Sequence, residues 1–163
     1  MTTSTASEDQ VSRLAKMVNK ALDLSGNCAQ TSFAVLQQEF NFDGGPILKA
    51  LTPFPGLALR GETCGAVTGC LMALGLVYGR DDLGDWKGYL ASLPPCRRFC
   101  RRFVEQHGST ACADLLETEL GHRYDLANSI DALKYATFGG KAACSKIITS
   151  AVTITAGILS KTT

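Results

Sequence analysis

Seven cysteines are distributed along a chain of 163 residues, and four of them stand where a helix is expected to begin. Cys28 follows Asn27, a residue whose side chain caps first-turn amides. Cys64 follows Thr63 and Cys112 lies three residues after Ser109, each a workable N-cap. Cys144 lies within or just beyond the first turn of a helix expected after Gly139-Gly140. Unpaired amides and the helix dipole favour a thiolate over a thiol at such places. Should the four starts converge, two chemistries become available. One is thiolate ligation of a soft metal or an iron–sulfur cluster, which needs several deprotonated sulfurs. The other is thiol–disulfide exchange, which needs an acidic attacking sulfur and a resolving partner. Spacing leaves both open. The odd cysteine count rules out complete intramolecular pairing.

The remaining three cysteines carry less. Cys70 is about 240° round the helix from Cys64, so the two face apart, and it reads as a small buried hydrophobe. Cys96 and Cys100 are one turn apart, which suits a shared metal and an apolar helix face equally. No Cys-x-x-Cys occurs, so zinc-ribbon, thioredoxin and bacterial ferredoxin patterns are absent, and without Cys-x-x-Cys-His ordinary covalent haem attachment is excluded. Arg97, Arg98, Arg101 and Arg102 read as a solvated basic face. His107 and His122 sit beside Gly108 and Gly121 in turns, without ligand spacing, and read as surface residues. No glycine-rich stretch has a phosphate-binding context.

The elements that must position the cysteines are helical. Ser7-Glu8-Asp9-Gln10 is a capping box, and Val11, Leu14, Val18 and Leu22 keep a helical period until Gly26. Ala29, Phe33, Leu36 and Phe40 form the stripe of a second helix. A central helix runs from about Thr63 to Tyr78, with Gly65, Gly69 and Ala73 four apart on one face, where small residues admit a neighbouring backbone. Trp86 is expected to be packed in a helical turn, and Pro94-Pro95 to open a further helix, as proline suits a first turn. Glu117 to Asp125 reads as a polar segment. Residues 142–159 are apolar enough to raise a membrane span, but Lys146 and the repeated Ser and Thr favour a buried helix. No strand period, repeat or linker stands out. The expectation is a single all-α domain over residues 7–160, a bundle of about five to seven helices, with residues 1–6 disordered.

Composition narrows the setting. The apolar fraction is 45% and the formal charge +1, which gives no electrostatic case for nucleic acid. The polar start lacks a basic-then-apolar signal, so a reducing cytoplasm is expected, where clustered cysteines bind metal or do redox work.

Asn27-Cys28-Ala29-Gln30, Cys64-Gly65-Ala66-Val67-Thr68-Gly69 with Ala73-Leu74-Gly75-Leu76, Gly108-Ser109 before Cys112 and Leu115-Leu116, and a late Cys144 occur in that order. Together they resemble the C_GCAxxG_C_C family of redox-active proteins, over residues 10 to 155 or so. The resemblance implies that Cys28, Cys64, Cys112 and Cys144 are the family's four defining cysteines, redox-active or metal-bound. A related domain occurs in split-Soret cytochromes, but their haem-attachment motif is missing here. The expected function is therefore a small redox protein, its four cysteines holding an iron–sulfur cluster or other thiolate-ligated metal for electron transfer with a partner protein. No membrane span is expected, and a homodimer is the expected assembly, by likeness to those dimeric cytochromes. A dithiol/disulfide protein is the first alternative. A non-redox, zinc-stabilised helical module that binds a partner is the second.

Overall fold

The computed structural model describes residues 7–161, so the N-terminal stretch expected to be disordered lies outside the described residues. Nine helices occur among them, and no strand. They are α1 (Glu8–Ser25), α2 (Cys28–Phe40), α3 (Gly45–Ala50), α4 (Gly56–Leu59), α5 (Gly65–Tyr78), α6 (Trp86–His107), α7 (Cys112–Leu120), α8 (Ser129–Thr137) and α9 (Gly140–Leu159). The all-α bundle is as expected; the count exceeds five to seven because short α3, α4 and α8 add to the long elements.

Local chemistry sets most of the boundaries. Ser7 Oγ accepts from the Gln10 N–H at 3.2 Å, and Gly26 ends α1 in the left-handed conformation. Asn27 Oδ1 accepts from the amides of Ala29 and Gln30 and so starts α2 at Cys28. Gly79 closes α5 through a 2.8 Å bond to the Gly75 carbonyl.

Helix α9 is the hub. It packs on α1, α2, α5, α6, α7 and α8, and it buries Ile147, Ile148, Ala151, Val152, Ile158 and Leu159 among others. Its length and apolarity are enough to cross a membrane, and just over half of it is buried against its neighbours. Phe33 from α2 and Phe99 and Phe103 from α6 are fully buried and fill the space around it.

The closest crossing is α2 on α5. A side chain at Gly69 would collide with the Ala29 carbonyl and the Ser32 hydroxyl, and one at Gly65 with Cys28 Sγ and the Ala29 backbone. The face carrying Gly65, Gly69 and Ala73 is thus a backbone-to-backbone seam, as its spacing implied.

Several expectations need correction. Pro94 and Pro95 lie inside α6, which begins eight residues earlier at Trp86 under an Asp85 cap. A proline pair opens a helix only when nothing upstream is helical; here Asp85 accepts from the Gly88 amide and supplies an earlier start. The carbonyls of Leu90 and Ala91 lose their ordinary helical donors as a result. Trp86 is 64% exposed and stacks on Tyr89 at 5.1 Å, so it is not a core residue. Helix α7 continues to Leu120 through the segment read as polar, and α8 was not foreseen. His107 is half-buried: its ring bonds Ser150 at 2.8 Å and lies on Phe103, joining α6 to α9.

Candidate functional site

Two long-range ties bring the helix starts together. Thr63 and Ala111 form an isolated antiparallel bridge. Around it the Cys64 amide donates to the Thr110 carbonyl at 2.8 Å, and the Cys112 amide to the Glu62 carbonyl at 2.7 Å. The residues entering α5 and α7 are therefore laced side by side. Thr63 is occupied in the bridge, so Cys64 itself takes the cap position and its carbonyl accepts from Val67 and Thr68. Likewise Ala111 is the residue before α7, while Ser109 accepts from the Ala111 amide and donates to Asp114. Cys64 sits one step, and Cys112 two steps, nearer the helix start than the expected caps Thr63 and Ser109 imply.

The second tie runs from α2. Asn27 Nδ2 donates to the Thr52 carbonyl at 3.0 Å, and Gln30 Nε2 to the Leu48 carbonyl and the Thr52 hydroxyl, each at 3.0 Å. These bonds hold the end of α3 and the following loop against the start of α2. That loop leads into α4, a left-handed turn with φ of 52°, 49°, 63° and 63° at Gly56, Leu57, Ala58 and Leu59. A left-handed turn is disfavoured for L-residues by a Cβ–carbonyl clash. Gly56 is the point where the turn meets the site: a Cβ there would lie 3.4 Å from Cys112 Cβ and 3.6 Å from its sulfur.

Cys28, Cys64 and Cys112 are buried and Cys144 is half-buried, all as free thiols. Cys28, Cys112 and Cys144 line a cavity of about 320 Å³, with Leu22, Pro55, Leu59 and Leu126 among its apolar walls. The ion pair between Lys141 and Asp23 also borders it. Cys64 is not a wall residue; its thiol is hydrogen-bonded to Cys28.

Electrostatics separate the four. Cys64 donates to Cys28, and the amides of Gly65, Cys28 and Ala29 also point at the Cys28 sulfur, so Cys28 is held below the usual thiol range despite its burial. Cys64, the donor, is held well above it, raised further by burial and by the charges of Cys28 and Cys112. Burial, with Cys28 and Cys144 nearby, pushes Cys112 up to about 12. Burial and Cys28 push Cys144 up to about 11. The expectation that every helix start favours a thiolate therefore holds for Cys28 alone. At Cys64 the bond to Cys28, and at Cys112 and Cys144 desolvation with like charge, outweigh the field of the helix terminus.

The structure thus brings the four sulfurs into one interacting neighbourhood. Among the described residues, however, no three His, Cys, Asp or Glu side chains are grouped as ligands of a single metal ion. Cys70 stands apart: it is fully buried on α5 beside Thr155, and burial pushes its thiol up to about 12. Cys96 and Cys100 are half-buried on α6, and both thiols are raised by burial first. One site residue was missed from sequence. Tyr135, on the unforeseen α8, places its hydroxyl 3.0 Å from Cys144 Sγ. The signal for α8 was Asn128, which caps the Ile130 and Asp131 amides.

Comparison with known proteins agrees with this framework. The family model described as "Putative redox-active protein (C_GCAxxG_C_C)" matches residues 26–158, a span that starts at Gly26, after α1. A protein of Archaeoglobus fulgidus described as uncharacterized is 31% identical over 103 residues, which cover 58% of this chain and 68% of that protein. No solved structure matches. With the family model spanning α2 to α9 and all four helix-start cysteines inside it, the chain belongs to the C_GCAxxG_C_C redox-active family.

Proposed function

We propose that Cys28, Cys64, Cys112 and Cys144 form one thiolate centre that holds an iron–sulfur cluster and exchanges electrons with a partner protein in a reducing compartment. The observation that carries this reading is mutual. Cys28 raises Cys64, Cys112 and Cys144, Cys112 raises Cys64, and Cys144 raises Cys112. A soft cationic group bound between such sulfurs turns that repulsion into attraction and deprotonates the thiols outright. The donor set fits: four cysteine sulfurs from four elements, beside a cavity with apolar walls. A single zinc ion needs its sulfurs within one tetrahedron at about 2.3 Å from the metal. When bound, such a group supplies one-electron chemistry. The chain's own residues give the cavity apolar walls at Leu22, Leu59 and Leu126, and the Cys28 sulfur collects three backbone amides that favour negative charge.

One observation favours dithiol chemistry instead. The Cys64 thiol donates to the more acidic Cys28 sulfur, as a resolving and an attacking thiol would. Oxidation would join the two sulfurs with loss of two electrons and two protons.

Anaerobic purification separates the readings. A cluster gives brown protein with visible absorption and stoichiometric iron and sulfide. Cys64→Ser and Cys112→Ser each then remove most of the iron, because serine keeps the volume but not the soft ligand. Colourless, iron-free protein sinks the cluster reading, with zinc content marking the zinc-stabilised module and a titratable Cys28–Cys64 disulfide the dithiol form. Independent partial losses in the two serine variants would show that the sulfurs do not act together.

A further inference from the structure

Tyr135 reaches the site in a way that depends on the start of α9. Helix α8 packs on α9, yet it has no fully buried residue, and Ile130 and Leu133 are 64% and 69% exposed. Tyr135 is its member that turns inward. Its ring lies directly over Gly140: a Cβ at Gly140 would fall among the Tyr135 ring carbons. The ring also meets Tyr124 edge-on at 6.2 Å, and Tyr124 is itself buried. Held between Gly140 and Tyr124, the phenol ends 3.0 Å from Cys144 Sγ, on the wall of the cysteine-lined cavity.

We propose that Tyr135 is a positioning residue of the cysteine centre, its hydroxyl donating a hydrogen bond to the Cys144 sulfur and holding negative charge on that atom. The inference rests on the reading of the four cysteines as one redox centre. A deprotonated sulfur has no proton to give, so the phenol is the donor whenever Cys144 is a thiolate. Cys144 is the one member of the four that is only half-buried, and none of the backbone amides that serve Cys28 serves it. Tyr135 is therefore the polar group that this sulfur has in place of an amide nest. A donor to a ligand sulfur stabilises the more electron-rich state of a centre, so it raises the reduction potential. No bond to Tyr135 is made or broken; reduction adds one electron to the centre, supplied in the test by dithionite, and the phenol keeps its proton.

The test uses the full chain, purified anaerobically, as wild type, Tyr135→Phe and Gly140→Ala. Iron and sulfide per chain are measured first, then the visible band is followed in a dithionite titration against redox dyes. Tyr135→Phe is expected to load fully. At a fixed potential its ratio of reduced to oxidised centre should fall about 3- to 10-fold, the range of one lost hydrogen bond. Tenfold corresponds to 59 mV for one electron. Gly140→Ala, which displaces the ring without touching the hydroxyl, is expected to shift the ratio the same way. Full loading with an unchanged midpoint in Tyr135→Phe overturns the proposal. Iron-free wild type defeats the cluster reading separately. The same variants are then compared by alkylation of reduced Cys144 with iodoacetamide, located by mass spectrometry. Tyr135→Phe is expected to slow Cys144 about threefold or more while leaving Cys112 unchanged. Equal Cys144 rates overturn the role of Tyr135.

Discussion

At the level of single residues, the α2–α5 crossing depends on two glycines whose intrinsic helix propensity argues against them. Glycine costs about 1 kcal/mol relative to alanine in a helix interior. At Gly69 the missing Cβ leaves room for the Ala29 carbonyl and the Ser32 hydroxyl. Ser32 in turn donates to the Cys28 carbonyl at 2.7 Å, so the crossing and the first site cysteine are fixed together. Gly75, on the same helix, has nothing within 4 Å of the position a Cβ would take. Gly69 and Gly75 should therefore respond in opposite directions to the same change. Gly69→Ala is expected to destabilise the fold by about 1–3 kcal/mol, because backbone cannot step aside as a flexible side chain can. Gly75→Ala is expected to stabilise it by about 0.5–1 kcal/mol. Urea denaturation of the two variants checks this, and a stabilising Gly69→Ala would remove the close-packing account.

Among the elements, α4 is the one whose form sequence pattern could not give. A left-handed turn has no hydrophobic period, and Leu57, Ala58 and Leu59 are not residues that announce positive φ. Its conformation is imposed by its attachments. The amides of Ala58 and Leu59 bond the carbonyls of Pro53 and Pro55 at 2.7 and 2.8 Å, while the Gly56 carbonyl takes the amides of Arg60 and Glu62. Ala58 is exposed, so a change there tests the backbone alone. Ala58→Gly removes a left-handed penalty of about 1–2 kcal/mol and adds about 0.5–1 kcal/mol of unfolded-chain freedom. The variant should be more stable by about 0.5–1 kcal/mol, read from its denaturation midpoint at unchanged slope. Destabilisation would mean that Ala58 makes a contact that offsets its strain. The same contrast explains what was legible. Ser7, Gly26, Asn27 and Gly79 act locally, and each stands at the boundary its chemistry implied. The cap of α5 moved from Thr63 to Cys64 because a partner 48 residues away captured Thr63. Helix α8 leaves no buried stripe to read, because Ile130 and Leu133 face outward while Tyr135 turns in.

Across the whole molecule, the site is joined to the hydrophobic core: Cys28, Cys64 and Cys112 are buried within it and Cys144 packs against it. Most of that core is α9 with Phe33, Phe99, Phe103 and the apolar faces of α1 and α5, and the cysteines join it from the first residues of α2 and α7, the cap of α5 and the fifth residue of α9. A centre spanning those four starts ties together chain segments far apart in sequence, but the core does not need it to form. Loss of the proposed cluster should therefore weaken the protein without unfolding it. A group bound at a thousand times its dissociation constant adds about 4 kcal/mol to the folded state. For a domain of this size each kcal/mol moves the melting midpoint by about 2–4 °C. Reduced protein stripped by a chelator is thus expected to melt cooperatively, some 8–16 °C below the loaded form, with its helical circular dichroism at room temperature nearly unchanged. Serine at Cys144 should lower the melting midpoint of the loaded form towards that of the stripped form, and stripping it should then matter little. Coincident melts of loaded and stripped wild type would show that nothing bound at the four cysteines is tied to the fold. Loss of helix on stripping would show instead that the core around α9 depends on the centre, contrary to the packing of Phe33, Phe99 and Phe103.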